Sequence, residues 1–156
     1  MLTETAFEVA DSAGCNLLSE WSSWANQGAT ICDGTPRDTF IYNESERSVS
    51  NLGNHPSFCM MTYGNEPVGK DYKGYLTKFV EYWKQKDSRR LYTTAAGWPV
   101  AEESDYNSTP DPRIQLWGAG LKSIINSKAP STSYDWNTII AKWQHPTVSH
   151  EIGQWC

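Results

Sequence analysis

The alternation of apolar and polar stretches predicts a chain in which short strands alternate with helices. Five short apolar runs have the length and the bounding residues of strands: 15–19, 58–63, 91–96, 114–117 and 147–149. Four segments have helical character: 3–13, 37–50, 71–86 and 135–143. The clearest helix is 71–86, where the apolar residues from Tyr75 to Trp83 recur at helical spacing.

Strands that alternate with helices indicate βαβ units and a parallel sheet. The long loops follow strands rather than helices, and residues 101–112 are predicted to be one of them. Loops on one face are typical of a (β/α)₈ barrel, but a barrel needs eight strands and about 250 residues. With five strands in 156 residues, the pattern leaves open a five-stranded open sheet or a part of a larger barrel.

Composition argues against two classes of partner. The net charge of −5, with charged residues at 20%, argues against nucleic acid. The basic residues Lys84, Lys86, Arg89 and Arg90 are predicted to lie at a helix C-terminus, where cations meet the negative end of the helix dipole. No stretch approaches the roughly 18–20 apolar residues of a membrane span, so no membrane partner is predicted. The first residues also lack the features of a signal peptide.

The cysteines do not predict a metal site. Cys15, Cys32, Cys59 and Cys156 lack the spacing and the histidine partners of a zinc site. Cys15 and Cys59 stand in or beside apolar runs and are predicted to be buried free thiols. The string His150-Glu151 is not a zinc-protease motif, because Gln154 stands where a second histidine is required. We therefore expect no metal and no cofactor.

Aromatic residues favour a carbohydrate ligand. The chain has 8 Trp and 8 Tyr in 156 residues. Flat aromatic faces stack on the C–H faces of sugar rings, as they do on other apolar groups. Trp98, Trp117 and Trp155 follow or end predicted strands and are the candidates for sugar platforms. A place in the core is an equally good interpretation of each.

Glu66 and Glu151 each stand where an apolar strand gives way to polar, glycine-containing sequence. The carboxyl ends of parallel strands form the edge at which such folds bind ligands. Cleavage of a glycosidic bond needs two carboxylates there, one as acid and one as nucleophile or base. Glu20 ends an earlier strand at the same edge, where it would bond a sugar hydroxyl or hold a neighbouring side chain.

The segments around both glutamates resemble the catalytic barrel of glycoside hydrolase family 2, the family of β-galactosidases and β-glucuronidases. The Asn-His-Pro-Ser run at 54–57, followed by Gly-Asn-Glu at 64–66, is similar to the acid/base strand of that family. The ending His-Glu-Ile-Gly-Gln-Trp at 150–155 is similar to the nucleophile strand of one of its branches. Residues 10–20 resemble the helix and strand before the acid/base segment.

The resemblance implies an α/β fold that is a partial (β/α)₈ TIM barrel, from the second helix to the seventh strand, with residues 1–156 as one fragment of a single catalytic domain. It implies a retaining hydrolase that removes terminal β-linked sugars. Glu151 would attack the anomeric carbon, while Glu66 would protonate the leaving oxygen and then activate water. Asn65 would bond the sugar 2-hydroxyl.

The chain departs from the family pattern in three respects. Met61, Thr62 and Tyr63 stand where members commonly carry Trp-Ser, and Trp117 is the nearest match to a sixth-strand tyrosine that contacts the nucleophile. The first two strands, the eighth strand and the accessory β-domains have no counterpart. We therefore expect the isolated fragment to be weakly active or inactive, with the remainder of the barrel or an oligomer partner as the missing element. The compartment is left open, with an exported or periplasmic parent enzyme as the expectation.

Two alternatives remain open. The first is a cellulase-like retaining hydrolase of the same clan, because Asn65-Glu66-Pro67 also suits that group. The second is a non-catalytic, sugar-binding remnant that uses its tryptophans as platforms. Unchanged sugar binding after substitution of Glu66 or Glu151 would favour the second.

Overall fold

The computed structural model describes residues 2–21, 30–110 and 135–150. The helices are α1 (Glu4–Ala13), α2 (Pro36–Leu52), α3 (Tyr72–Lys86) and α4 (Asn137–Ile140). The strands are β1 (Leu17–Glu20), β2 (Phe58–Thr62), β3 (Leu91–Thr93), β4 (Asn107–Thr109) and β5 (Thr147–Ser149). The predicted α/β alternation of helices and parallel strands is confirmed.

Helix α1 begins and ends as its sequence predicts. Thr3 occupies the N-cap, and its hydroxyl oxygen accepts a hydrogen bond from the Ala6 N–H at 3.3 Å. Gly14 follows the last turn in the left-handed conformation, with φ 68°, which is the usual glycine stop. The helix therefore turns the chain directly into β1.

The five strands are parallel and neighbour one another in chain order. β1 pairs with β2 and β2 with β3, so that Glu20, Thr62 and Thr93 stand in register. β4 pairs with β5 in a second small sheet. A single bridge from Asn65 to Ala96 extends the pairing of β2 and β3, and another from Ala96 to Ser108 connects the two sheets. The described strands thus follow each other without a reversal of order.

The prediction of a loop over 101–112 is wrong, because β4 lies within it. Its residues, Asn107, Ser108 and Thr109, have no apolar pattern, yet each is at most 3% exposed. Backbone bonds hold the strand: Asn107 N–H donates to Pro146 O, and His150 N–H donates to Thr109 O, both at 2.8 Å. The strand predicted over 114–117 lies outside the described residues.

The hydrophobic core lies between the sheet and the helices. The stripe predicted on α3 is confirmed, since Leu76, Phe79, Val80 and Trp83 are all buried. They pack with core residues of the other elements, among them Phe7, Ile41, Met61 and Tyr92. The indole N–H of Trp83 donates to the Ser45 hydroxyl at 3.1 Å, so this core tryptophan has its polar partner.

The basic cluster divides into two parts. Lys84 and Lys86 lie in the last turn of α3, as predicted. Arg90 is 6% exposed instead of lying at the helix end, and its guanidinium donates to the Asp87 carboxylate and to Gly53 O. Its guanidinium carbon also lies 4.2 Å from the centre of the Phe58 ring. This end of the sheet is therefore held by a buried ion pair.

The entry to β2 is fastened to α1 through Asp11. One carboxylate oxygen accepts the Ser57 N–H at 2.8 Å, and the other lies 2.7 Å from His55 Nδ1. The His55 ring stacks on Phe7, with 5.2 Å between ring centres. Residues 54–57 therefore lie at the entry of β2, the end of the strand opposite to Glu66.

The prediction of buried thiols is wrong for Cys15, which is exposed in the turn after Gly14. Cys59 is half-buried, as is Cys32, and all three are free thiols. Cys59 and Met60 are the two half-buried residues of β2, whereas Phe58 and Met61 enter the core. Cys156 lies outside the described residues.

Candidate functional site

Glu66 lies at the C-terminal edge of the sheet, between the extensions of β2 and β3. Its N–H donates to Ala96 O at 2.9 Å, and the Ala96 N–H donates to Gly64 O at 2.8 Å. These bonds continue the parallel pairing of the two strands past their regular parts. The half-buried Glu66 side chain therefore begins at the edge where parallel folds bind their ligands.

The backbone of Glu66 adopts a left-handed conformation, with φ 43°. This region is unfavourable for a residue with a side chain, and such outliers cluster at active sites and ligand clamps. The chain thus bends sharply where β2 gives way to its loop. Because surrounding contacts must hold the bend, the direction of the Glu66 side chain is fixed by its neighbours.

Gly97 is the neighbour that packs against Glu66. Its φ is +90°, and a Cβ atom at this position would lie 3.0 Å from Glu66 Cγ and 3.8 Å from Oε1. Any side chain at position 97 would therefore push the glutamate away. The glycine is required both by its backbone conformation and by this close approach.

Asn65 precedes Glu66 and takes part in the bridge to Ala96. Its Oδ1 atom is buried and accepts no hydrogen bond within the described part of the chain. A buried acceptor without a partner is costly. Because protein atoms cover this oxygen, it would accept a hydrogen bond from a ligand hydroxyl only after a change of the Asn65 rotamer.

Trp98 lies on the same edge and is half-buried. Its indole N–H donates to the carbonyl oxygen of Pro67 at 2.8 Å. The polar atom of the ring is therefore engaged by the residue that follows Glu66. A sugar would meet only the apolar surface of this indole.

Glu20 ends β1 at the same edge, in register with Thr62 and Thr93, so the three side chains share one face of the sheet. Tyr106 lies nearby and was not selected from the sequence, where it is a lone aromatic in a polar stretch. It is 1% exposed, and its hydroxyl donates to Met61 O at 3.2 Å. Burial raises the pKa of this hydroxyl, and the charge of Glu20 raises it further.

The Tyr106 side chain reaches across one strand of the sheet. Tyr106 directly precedes β4, while Met61 belongs to β2, with β3 between the two. The hydrogen bond from the Tyr106 hydroxyl to Met61 O therefore joins β4 to β2 over the intervening strand.

Three predicted site residues, Glu151, Trp117 and Trp155, lie outside the described residues. The strand that leads to Glu151 is described: β5 ends at Ser149, and the His150 N–H bonds to β4. β5 lies three strands from β2 and runs parallel to it. Of the seven predicted residues, the structure thus brings Glu66, Asn65 and Trp98 together and places Glu20 two strands away from Trp98.

A cavity of about 460 Å³ lies elsewhere, between α3 and the segment before β5, with Lys73, Glu103, Lys142 and Trp143 among its lining residues. It includes none of the predicted site residues. No group of three or more His, Cys, Asp or Glu side chains within the described ranges could hold a metal ion. In the same ranges, no helix combines the length and the apolar character of a bilayer span.

A search against protein-family models found no match to this chain, and a search of curated proteins found none either. A functional assignment therefore depends on the residues at the C-terminal edge.

Proposed function

We propose that the protein is a retaining glycoside hydrolase acting on terminal β-linked sugars, with Glu66 as acid/base and Glu151 as nucleophile. The observation that carries the proposal is the placement of Glu66. Its carboxylate begins at the C-terminal edge of a parallel sheet, from a left-handed residue pressed against Gly97. Asn65 adds a buried acceptor directly beside it.

The order of the strands supports a barrel as the setting of this site. Doubly wound sheets reverse their strand order at the point where they bind ligands. The five described strands instead neighbour one another in chain order, as barrel strands do. We therefore propose that these strands form part of a (β/α)₈ barrel.

The spacing of β2 and β5 is compatible with a retaining pair. Three strand spacings separate the two strands, which is roughly 14 Å along a flat sheet and less across a curved one. A retaining mechanism needs carboxyl groups about 5–5.5 Å apart. The two glutamate side chains would have to extend toward each other from these strand ends to cover the difference.

The reaction would proceed in two steps. A carboxylate oxygen of Glu151 bonds to the anomeric carbon while the glycosidic C–O bond breaks and Glu66 gives its proton to the leaving oxygen. Glu66, now ionised, takes a proton from water as the water attacks the anomeric carbon and releases Glu151. The buried Asn65 oxygen would accept a hydrogen bond from the sugar 2-hydroxyl, a contact that strengthens in the transition state.

Trapping of the glycosyl intermediate tests the proposal. The chain is incubated with a panel of dinitrophenyl 2-fluoro-β-glycosides built on galactose, glucuronic acid, glucose and mannose, and its peptides are mapped by mass spectrometry. Because the fluorine slows release of the intermediate, label accumulates even on a weakly active fragment, and up to one sugar per chain is expected on the peptide that contains Glu151. The label is expected to be absent in Glu151→Gln and present in Glu66→Gln, since a dinitrophenyl group leaves without a proton.

Glu8→Gln is the control, because Glu8 is an exposed glutamate on α1, remote from the sheet edge. It is expected to be labelled as the wild type is. Absence of label and of turnover across the whole panel would contradict the proposal. Sugar binding that survives both active-site substitutions but is lost in Trp98→Ala would favour a binding protein instead.

A further inference from the structure

The left-handed conformation of Glu66 needs stabilising contacts on both the N-terminal and the C-terminal side of the residue. Such a conformation persists only where its surroundings determine it. On the N-terminal side, the Glu66 N–H donates to Ala96 O at 2.9 Å. On the C-terminal side, the chain enters Pro67, which has no N–H and can be held only through its carbonyl or its ring.

The indole of Trp98 provides the stabilising contact on the C-terminal side. Its N–H donates to the Pro67 carbonyl at 2.8 Å, between residues that are 31 positions apart in the chain. Pro67 is buried, so water has little access to this bond. Ala96, Gly97 and Trp98 thus contact Glu66 and Pro67 as one continuous segment, with the glycine against the glutamate side chain.

We propose that Trp98 is a positioning residue, which aims the Glu66 carboxyl by fixing the backbone that follows it. This inference rests on the proposed function, in which Glu66 moves the proton. It differs from the role of sugar platform suggested by the sequence, because a platform uses the ring face and has no need of the indole N–H. Removal of the N–H alone therefore distinguishes the two roles.

The experiment compares Trp98→Phe with the wild type on two substrates that share one sugar. A dinitrophenyl β-glycoside needs no proton for departure, whereas a methyl β-glycoside depends on the general acid. We expect kcat/KM for the methyl glycoside to fall about 10- to 100-fold, because a displaced general acid loses much of its contribution. The value for the dinitrophenyl glycoside is expected to stay near that of the wild type.

Trp143→Phe is the matched control, since Trp143 is also half-buried but lines the cavity beside α3, which includes none of the predicted site residues. This substitution is expected to leave kcat/KM unchanged for both substrates. An equal loss on both substrates in Trp98→Phe would overturn the inference, because it would mean that the ring binds the sugar or that the site has collapsed. If Trp98→Phe does not fold, benzothienylalanine at position 98 keeps the ring shape and removes only the N–H.

A double-mutant cycle adds a readout that a purely structural role would not give. If Trp98 acts through Glu66, Trp98→Phe causes no further loss in a Glu66→Gln background. If each substitution lowers kcat/KM by its own factor and the double variant shows the product of the two factors, the inference is contradicted.

A backbone measurement separates this inference from the proposed function. The set of three-bond NMR couplings across the N–Cα bond of Glu66 reports its φ angle, and it requires no turnover. We expect the left-handed value in the wild type and in Trp143→Phe, and its loss in Trp98→Phe. If the wild type neither cleaves nor binds a glycoside but shows this pattern, the proposed function is refuted. The stabilisation of the Glu66 backbone by Trp98 is then still established. A Glu66 coupling unchanged in Trp98→Phe would refute the inference itself.

Discussion

Arg90 and Asp87 form a buried ion pair at the N-terminal edge of the sheet, the edge opposite to Glu66. The side chains are 2% and 8% exposed, and Arg90 directly precedes β3. Arg89 adds two bonds to the same carboxylate, each of 2.8 Å, from the solvent side. One edge of the sheet thus carries a structural charge cluster, while the other carries the candidate catalytic groups.

Asp87→Asn is expected to destabilise the protein strongly. It leaves the buried Arg90 without its counter-charge, which typically costs about 3–5 kcal/mol. Glu44→Gln is the matched control, because Glu44 also pairs with an arginine three residues later, but Arg47 is 66% exposed. That change is expected to cost less than about 1 kcal/mol. Urea unfolding of both variants measures the difference, and equal losses would contradict the role of burial.

Stability is expected to fall in acid, partly through Asp87. The bonds from Arg89 and the charge of Arg90 lower the pKa of this carboxyl against the opposing effect of burial. A lowered folded-state pKa contributes stability above the unfolded value of about 3.9, and the contribution is lost as the pH falls through the folded-state pKa. Unfolding midpoints measured from about pH 6 to pH 2 should fall more steeply in the wild type than in Asp87→Asn. If the unfolding midpoints of the two proteins depend on pH in the same way, proton binding by Asp87 is not linked to unfolding.

Gly97→Ala is expected to abolish most of the proposed activity. The added methyl group meets Glu66 Cγ at 3.0 Å, and the left-handed backbone strains any residue other than glycine. Gly34→Ala is the control: its φ is +78°, but nothing lies within 4 Å of the added carbon. Each change should lower stability by about 1–2 kcal/mol through backbone strain, and only Gly97→Ala should reduce glycoside turnover. Equal turnover in the two variants would exclude a role for the close approach.

Asp11→Asn is expected to lower Tm by several degrees. The substitution weakens the links from α1 to His55 and to the Ser57 N–H, which together hold the entry of β2. The pKa of Asp11 is lowered chiefly by its hydrogen bond with Ser57, so the wild-type contribution is present at neutral pH and lost in acid. Glu8→Gln, on the same helix, should leave Tm unchanged. A Tm difference that persists at pH 2 would show that the carboxylate charge is not the cause.

The sequence predicted those elements that carry an apolar signal. Helix α3 and strand β5 were predicted within one residue of their observed bounds, because an apolar stripe and a short β-branched run mark them. β4 was missed because Asn107, Ser108 and Thr109 resemble a loop in composition, and only their pairing with β5 makes them a strand. The burial of Arg90 could not be predicted either, since it depends on the distant Gly53 and Phe58.

The candidate site was predicted only in part for a similar reason. Glu66 was selected because it follows an apolar strand, and Asn65 was selected through the family resemblance of the Gly-Asn-Glu run. The roles of Gly97 and Trp98 depend on contacts across about 30 residues of chain, which no local pattern records. Tyr106 was missed because its bond to Met61 O joins residues that are 45 positions apart, on strands that only the folded sheet brings together.

The polar composition of β4 also has a consequence for folding. A strand without apolar side chains gains no free energy from collapse, so it becomes stable only when β3 and β5 already offer their backbone groups. We expect β4 to order late and, in hydrogen exchange, to open before β2 and α3, which hold the apolar core. Ala96, the residue that fixes the Glu66 backbone, is bridged to this same late strand. The sheet edge that carries the candidate acid would then acquire its final geometry in the last stage of folding.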